Sequence, residues 1–163
     1  MTDRNPLAVD LPAVSDSGAA RDAQCIVYVM DVAERPGIAH AISAVFAHRG
    51  LSMRALIADA HRRPPRVLAV FEGTQRQQKL VGQVLARLHD VQRVRALPAD
   101  SPELRAIAIC HARAGLPAMT DVSLQSLGDA WLLSGSYAAV DRALARWQAE
   151  GLIDAVSRSL VAA

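Results

Sequence analysis

Glu34-Arg35-Pro36-Gly37-Ile38 stands where a run of β-formers gives way to a helical period, and these residue types suit the holding of a carboxylate. Gly37 has no side chain to keep a ligand away. A helix starting here leaves unpaired backbone N–H groups around Gly37 and Ile38, which attract an anion. Pro36 pre-sets φ where a helix begins, and Gly50 falls just past its end. On spacing alone, the same pattern also fits an ordinary strand-to-helix turn, which is the commoner case.

No other grouping in the chain carries chemistry as well. The five histidines, His40, His48, His61, His89 and His111, show no metal-ligand spacing with cysteine or carboxylate support. Asp59 and His61 fall on one face of a strand, a pairing common by chance. There is no nucleophile elbow, phosphate loop or zinc signature, so no catalytic residue and no metal ligand is assigned. Cys25 and Cys110 lie inside strand-like runs and read as buried thiols rather than a disulfide or metal pair.

The elements that must position the turn can be read from hydrophobic period. Cys25 to Met30 is a short apolar strand. Ile38, Ala41, Ile42, Val45 and Phe46 then recur on one helical face. Leu51 to Ala60 and Val67 to Phe71 read as a hairpin across His61-Arg62-Arg63-Pro64-Pro65-Arg66, a solvated basic tip. Thr74 and Gln77 fit a capping box ahead of a helix with Val81, Val84, Leu85 and Leu88 buried. Val91 to Leu97 closes a βαββαβ unit, and Pro98 to Pro102 reads as a linker.

The rest repeats this order imperfectly. Leu104 to Cys110, Val122 to Leu127 and Ala130 to Leu133 read as strands, with Gly128-Asp129 as a turn. A helix follows with Val140, Ala143, Leu144 and Trp147 on one face, and Gly151 ends it before a last strand from Leu152 to Leu160. Trp147 fits the core, while Trp131 suits core or interface. The last helix and strand of the two copies are offset by about 61 residues and the first strands by about 79. The second copy therefore lacks its first helix, and Gly115 and Pro117 leave room for no more than one turn between Ala112 and Thr120. The expected fold is α+β, two ferredoxin-like βαββαβ units with the second trimmed. The boundaries are 1–22 for a mobile tail, 23–98, a linker over 99–103, and 104–163.

Composition narrows the function classes. With 163 residues and 52% hydrophobic content the chain can bury a core. A net charge of +2, 4% aromatics and a single basic cluster argue against nucleic-acid binding. No apolar run approaches the ~20 residues that cross a bilayer, and the N-terminus lacks a signal-peptide core, so no membrane association and a cytoplasmic location are expected.

Val32 through Arg54, with Pro36-Gly37, Phe46 and Arg49-Gly50-Leu51-Ser52-Met53, resembles the ACT domain of the small regulatory subunit of acetolactate synthase. The likeness runs through Leu88-His89-Asp90-Val91-Gln92-Arg93-Val94 and into Val140-Asp141-Arg142-Ala143-Leu144 and the closing strand, covering about Gln24 to the C-terminus. It implies a protein without catalysis of its own, which binds and activates a large catalytic subunit of branched-chain amino acid biosynthesis. Thiamine diphosphate, Mg²⁺ and FAD are expected on that large subunit and no cofactor on this chain.

The resemblance also implies a homodimer through the ACT domains, with valine or a related amino acid bound where two of them meet. By motif, Glu34, Pro36, Gly37 and Ile38 come from one chain and Ser52 and Met53 from its neighbour. Family members commonly carry Asn at the positions of Glu34 and Ser52. A carboxylate at Glu34 opposes the ligand's own, unless it turns to the ammonium or pairs with Arg35 or Arg54. Three outcomes are ranked: activation without valine feedback, a different effector, and a pocket without a ligand. The alternative from another class is a free-standing dimeric ACT-domain amino-acid sensor with no catalytic partner.

Overall fold

A computed structural model describes residues 23–112 and 115–162; the tail expected over 1–22 lies outside them. The chain divides into two units between Pro98 and Ala99. Unit 1 runs β1 (Gln24–Val32), α1 (Ile38–Ala47), β2 (Met53–Asp59), β3 (Arg66–Gly73), α2 (Gln75–Leu85) and β4 (Val91–Pro98). Its antiparallel sheet has the order β2-β3-β1-β4, the ferredoxin-like arrangement. Unit 2 runs β5 (Leu104–Ala112), β6 (Val122–Ser126), β7 (Ala130–Ser136), α3 (Tyr137–Ala149) and β8 (Ile153–Ala162), in the order β6-β7-β5-β8. The second sheet therefore repeats the first with one helix missing. Among the described residues between β5 and β6 there is no helix.

In unit 1 the residues alternating along β1 and β3 build the core beneath the helices: Ile26, Tyr28, Met30, Val67, Ala69 and Phe71 pack with Ile42 and Phe46 of α1 and Val81 and Leu85 of α2. The Phe46 ring tilts against Phe71 at 5.5 Å and Tyr28 at 6.4 Å, geometries that the ring quadrupoles favour. One polar group is buried with its partners supplied: the Gln78 side-chain amide donates to the carbonyls of Gln24 (2.8 Å) and Gly73 (3.0 Å). The Tyr28 hydroxyl donates to the Gln78 carbonyl at 2.6 Å. These bonds tie α2 to the ends of β1 and β3.

The helix ends follow local chemistry. Thr74 caps α2 with both bonds of the capping box to Gln77. Past α1, Gly50 in the left-handed region (φ +62°) lets the Gly50 N–H reach the Ala47 carbonyl and the Leu51 N–H reach that of Phe46. That bond explains why β2 starts at Met53 and not at Leu51, as its apolar pattern suggests: Leu51 completes the cap. Gly151 closes α3 in the same way, with Leu152 bonded to Trp147.

α3 lays Val140, Ala143, Leu144 and Trp147 against the sheet, and each is buried. Cys110 is also buried, and burial pushes its thiol up from the ordinary value; Cys25 is half-buried. Arg158 of β8 pairs with Asp141 of α3 and lies over the Tyr137 ring, 5.4 Å from its centre. Among the described residues no helix is long and apolar enough to cross a membrane.

Candidate functional site

The turn that leads from β1 to α1 is held from both sides. The Val32 N–H donates to the Pro65 carbonyl (2.9 Å) and the Ala33 N–H to the Asp90 carbonyl (2.8 Å). The Asp90 carboxylate also lies 3.7 Å from Arg35 and 3.0 Å from the His89 ring. Asp90 belongs to the segment that carried the resemblance after α2, and the structure gives it a task there: it moors the turn.

The turn ends at Gly37, whose φ of +89° places it in the left-handed region where an L side chain is strained. Gly37 is therefore the N-cap, and α1 begins at Ile38. Pro36 sits ahead of the cap, and not at the helix's first position as the sequence suggests, because a positive φ at Gly37 interrupts the helical path. No side chain caps this end and no acidic residue lies in the first turn, which leaves the first backbone N–H groups without a side-chain cap.

Beneath the turn lies a groove of about 370 Å³. Val32, Pro36 and Ile38 line it from the turn, Ala58 and Asp59 from the end of β2, and Arg66 from the start of β3. Its charges are already engaged. Arg66 pairs with Asp31 at 3.0 Å with both side chains largely buried, so this arginine belongs to the strand and not to the solvated tip in which its sequence neighbours place it. The Asp59 carboxylate accepts from the His61 N–H at 3.0 Å. His61 lies beyond β2 in the bend, and the two do not share a strand face.

Glu34 turns outward. Its carboxylate is 3.7 Å from Arg63, both side chains being more than two-thirds exposed, a pairing worth little in water. Neither of the two partners suggested by sequence takes it: Arg35 faces Asp90, and Arg54 lies 3.4 Å from Glu72, towards the other end of β2.

The structure brings Glu34, Pro36 and Ile38 to one groove, with Gly37 beside it, and leaves Ser52 and Met53 elsewhere. Met53 pairs with Phe71, which pairs with Ile26 near the start of β1, whereas Asp59 pairs with Arg66 opposite Asp31 near its end. Met53 and Asp59 are the two ends of β2, six residue steps or roughly 20 Å apart. Within one chain the two halves of the expected site cannot share a small ligand. Asp59, Arg66 and Asp90 complete the groove and its mooring. Only Asp90 stood in a recognisable pattern, since the other two depend on strand pairing.

No protein-family model and no curated protein matches this sequence. Solved structures do. The acetolactate synthase small subunit from Thermotoga maritima matches 86% of this chain and 96% of its own, with a TM-score of 0.57 at 16% identity. The chain shares the fold of that subunit. It is α+β, two ferredoxin-like ACT-type units in tandem. The regulatory subunit of aspartate kinase from Thermus thermophilus and an unknown protein from Galdieria sulphuraria each match with a TM-score of 0.41, at 15% and 16% identity. They cover 80% and 87% of this chain and 97% and 99% of their own.

Proposed function

We propose that this chain is a non-catalytic regulatory subunit that binds and activates a thiamine-diphosphate-dependent acetolactate synthase large subunit. The observation that carries the reading is the pairing of one complete ACT-type unit with one that lacks its first helix, in a chain whose fold matches an acetolactate synthase small subunit along nearly its whole length. Thiamine diphosphate, Mg²⁺ and FAD then belong to the large subunit.

The groove under Pro36 and Ile38 is where this reading places an effector, with branched-chain amino acids as the ligands to try first. Its missing half comes from a second copy. Among the described residues β2 is an edge strand, and antiparallel pairing of two β2 strands centred on Leu56 would set Met53 of one chain beside Asp59 of the other. Ser52 and Met53 of that copy would then close the groove. The ~20 Å between the two halves within one chain is what this dimer explains.

The test is the acetolactate-forming rate of the cognate large subunit, with and without this chain, over a valine series. The expected result is activation that valine does not reverse. Glu34→Asn should then introduce valine inhibition. Glu34 is exposed and faces Arg63, so removing its charge gains less than about 1 kcal/mol, a few-fold in affinity. Inhibition of the unaltered subunit would overturn the assigned effect of Glu34 and Ser52. No activation would favour the free-standing sensor, which instead predicts amino-acid binding by the isolated dimer.

A further inference from the structure

Charge is divided unevenly along the chain. Residues 23–98 hold eleven lysines and arginines against five carboxylates, whereas residues 99–163 hold five against seven. Four of the five carboxylates in unit 1 already face an arginine: Asp31 faces Arg66, Glu34 faces Arg63, Glu72 faces Arg54 and Asp90 faces Arg35. The fifth, Asp59, accepts from the His61 N–H. All five lie on strands or connections, so α1 and α2 carry no acid at all.

α2 carries cations without their counter-charges. Arg76, Lys79, Leu80 and Gln83 stand at i, i+3, i+4 and i+7 of one exposed stripe, and Arg87 continues it in the turn beyond the helix. None of the three cations has an ion-pair partner among the described residues. Arg76 and Lys79 are near enough to repel one another, and Leu80, 47% exposed, sets an aliphatic side chain between the charges. α3, the last helix of unit 2, is balanced: Arg146 pairs with Glu150 at 2.8 Å, and Asp141 with Arg158. On α3 the counter-charge comes from one turn away or from the next strand; α2 has neither.

We propose that this stripe of α2 is the docking surface for a carboxylate-bearing face of a protein partner and, resting on the reading above, that the partner is the large subunit. Arg76 and Arg87 are planar forks that take a carboxylate through two bonds at once, and Lys79 adds a mobile point charge. Three cations over about 16 Å, with a leucine among them and no aromatic side chain to stack a base, suit a folded protein better than a nucleic acid. α2 lends no side chain to the groove at the β1–α1 turn, so the two surfaces are distinct.

Titration of the cognate large subunit with this chain, read as the concentration that gives half-maximal activation, tests the surface. Arg76→Glu together with Lys79→Glu should raise that concentration about tenfold or more, and Arg87→Glu several-fold. Raising salt from about 0.05 to 0.5 M should weaken activation by the unaltered chain and act less on the double variant. Arg105→Glu alters the net charge as much as Arg87→Glu but lies exposed on β5, and it should change nothing. The substituted positions are all exposed, and an acid at position 76 falls in the first turn of α2, where the helix dipole favours it, so the variants keep the fold. Arg76→Lys, which keeps the charge, should stay close to the unaltered chain. Half-maximal activation that is the same in the reversed variants, or that Arg105→Glu raises equally, would overturn the proposal and leave the subunit reading intact. An unaltered chain that activates nothing would overturn both.

Discussion

Trp147 is fully buried, and its indole N–H is the one buried side-chain group that lacks a hydrogen-bond partner among the described residues. An unmade bond of this kind costs about 1–3 kcal/mol. Trp147→Phe relieves that cost and opens a cavity, two effects of similar size and opposite sign. The expected change in unfolding free energy is within about 1 kcal/mol of zero, against a loss of about 3–5 kcal/mol for Trp147→Ala, which only empties the site. Urea unfolding of both variants checks this, and a large loss in Trp147→Phe would mean that the N–H has an acceptor. Glu34 shows the converse situation: an exposed carboxylate beside a turn, paired only with an exposed Arg63 and contributing little to the fold.

At the scale of elements, the β1–α1 turn depends on one conformation and two anchors. Gly37 at φ +89° has open space around the position of a Cβ, so the cost of a side chain there lies in the backbone alone. Gly37→Ala is expected to destabilise unit 1 by about 1 kcal/mol or more, and to weaken any ligand held at the turn. Thermal unfolding measures the first effect and ligand titration the second. Unchanged stability would mean that the turn tolerates another path. The anchors at Pro65 and Asp90 come from the β2–β3 hairpin and the α2–β4 connection, so three separate connections converge on this end of the sheet.

At the scale of the whole molecule, each unit keeps a weak acid neutral in its core. Tyr28 in unit 1 is raised by burial, the Gly82 backbone opposing only part of the effect, and Cys110 in unit 2 is raised by burial. A group whose folded pKa lies above its unfolded value contributes stability that is complete below the unfolded value and is lost as pH rises towards the folded one. Unit 2 should therefore weaken above the ordinary thiol value of about 8.5 and unit 1 above the ordinary tyrosine value of about 10. Denaturant midpoints across pH 7–11 measure the fall. Cys110→Ala should flatten the earlier limb and Tyr28→Phe the later one, and an unchanged slope in either variant would assign that limb to other groups.

The order of elements, the repeat and its missing helix were legible because each rests on local chemistry. A period of 2 or 3.6 is written residue by residue, Thr74 and Gln77 lie within one turn, and Gly50 and Gly151 stand where only a positive φ fits. The turn at Glu34 to Ile38 was legible for the same reason. What the tertiary structure alone decided is which residues meet across strand order. It joined Asp31 to Arg66 and Ala33 to Asp90, turned Glu34 to Arg63, and set a chain's own Ser52 and Met53 at the far end of the sheet from its turn. It also decided that Val27 is hidden while Ile107 is open to water, although both lie in apolar strand runs. Side-chain pattern sets the face a residue takes; only the packed chain determines what that face meets.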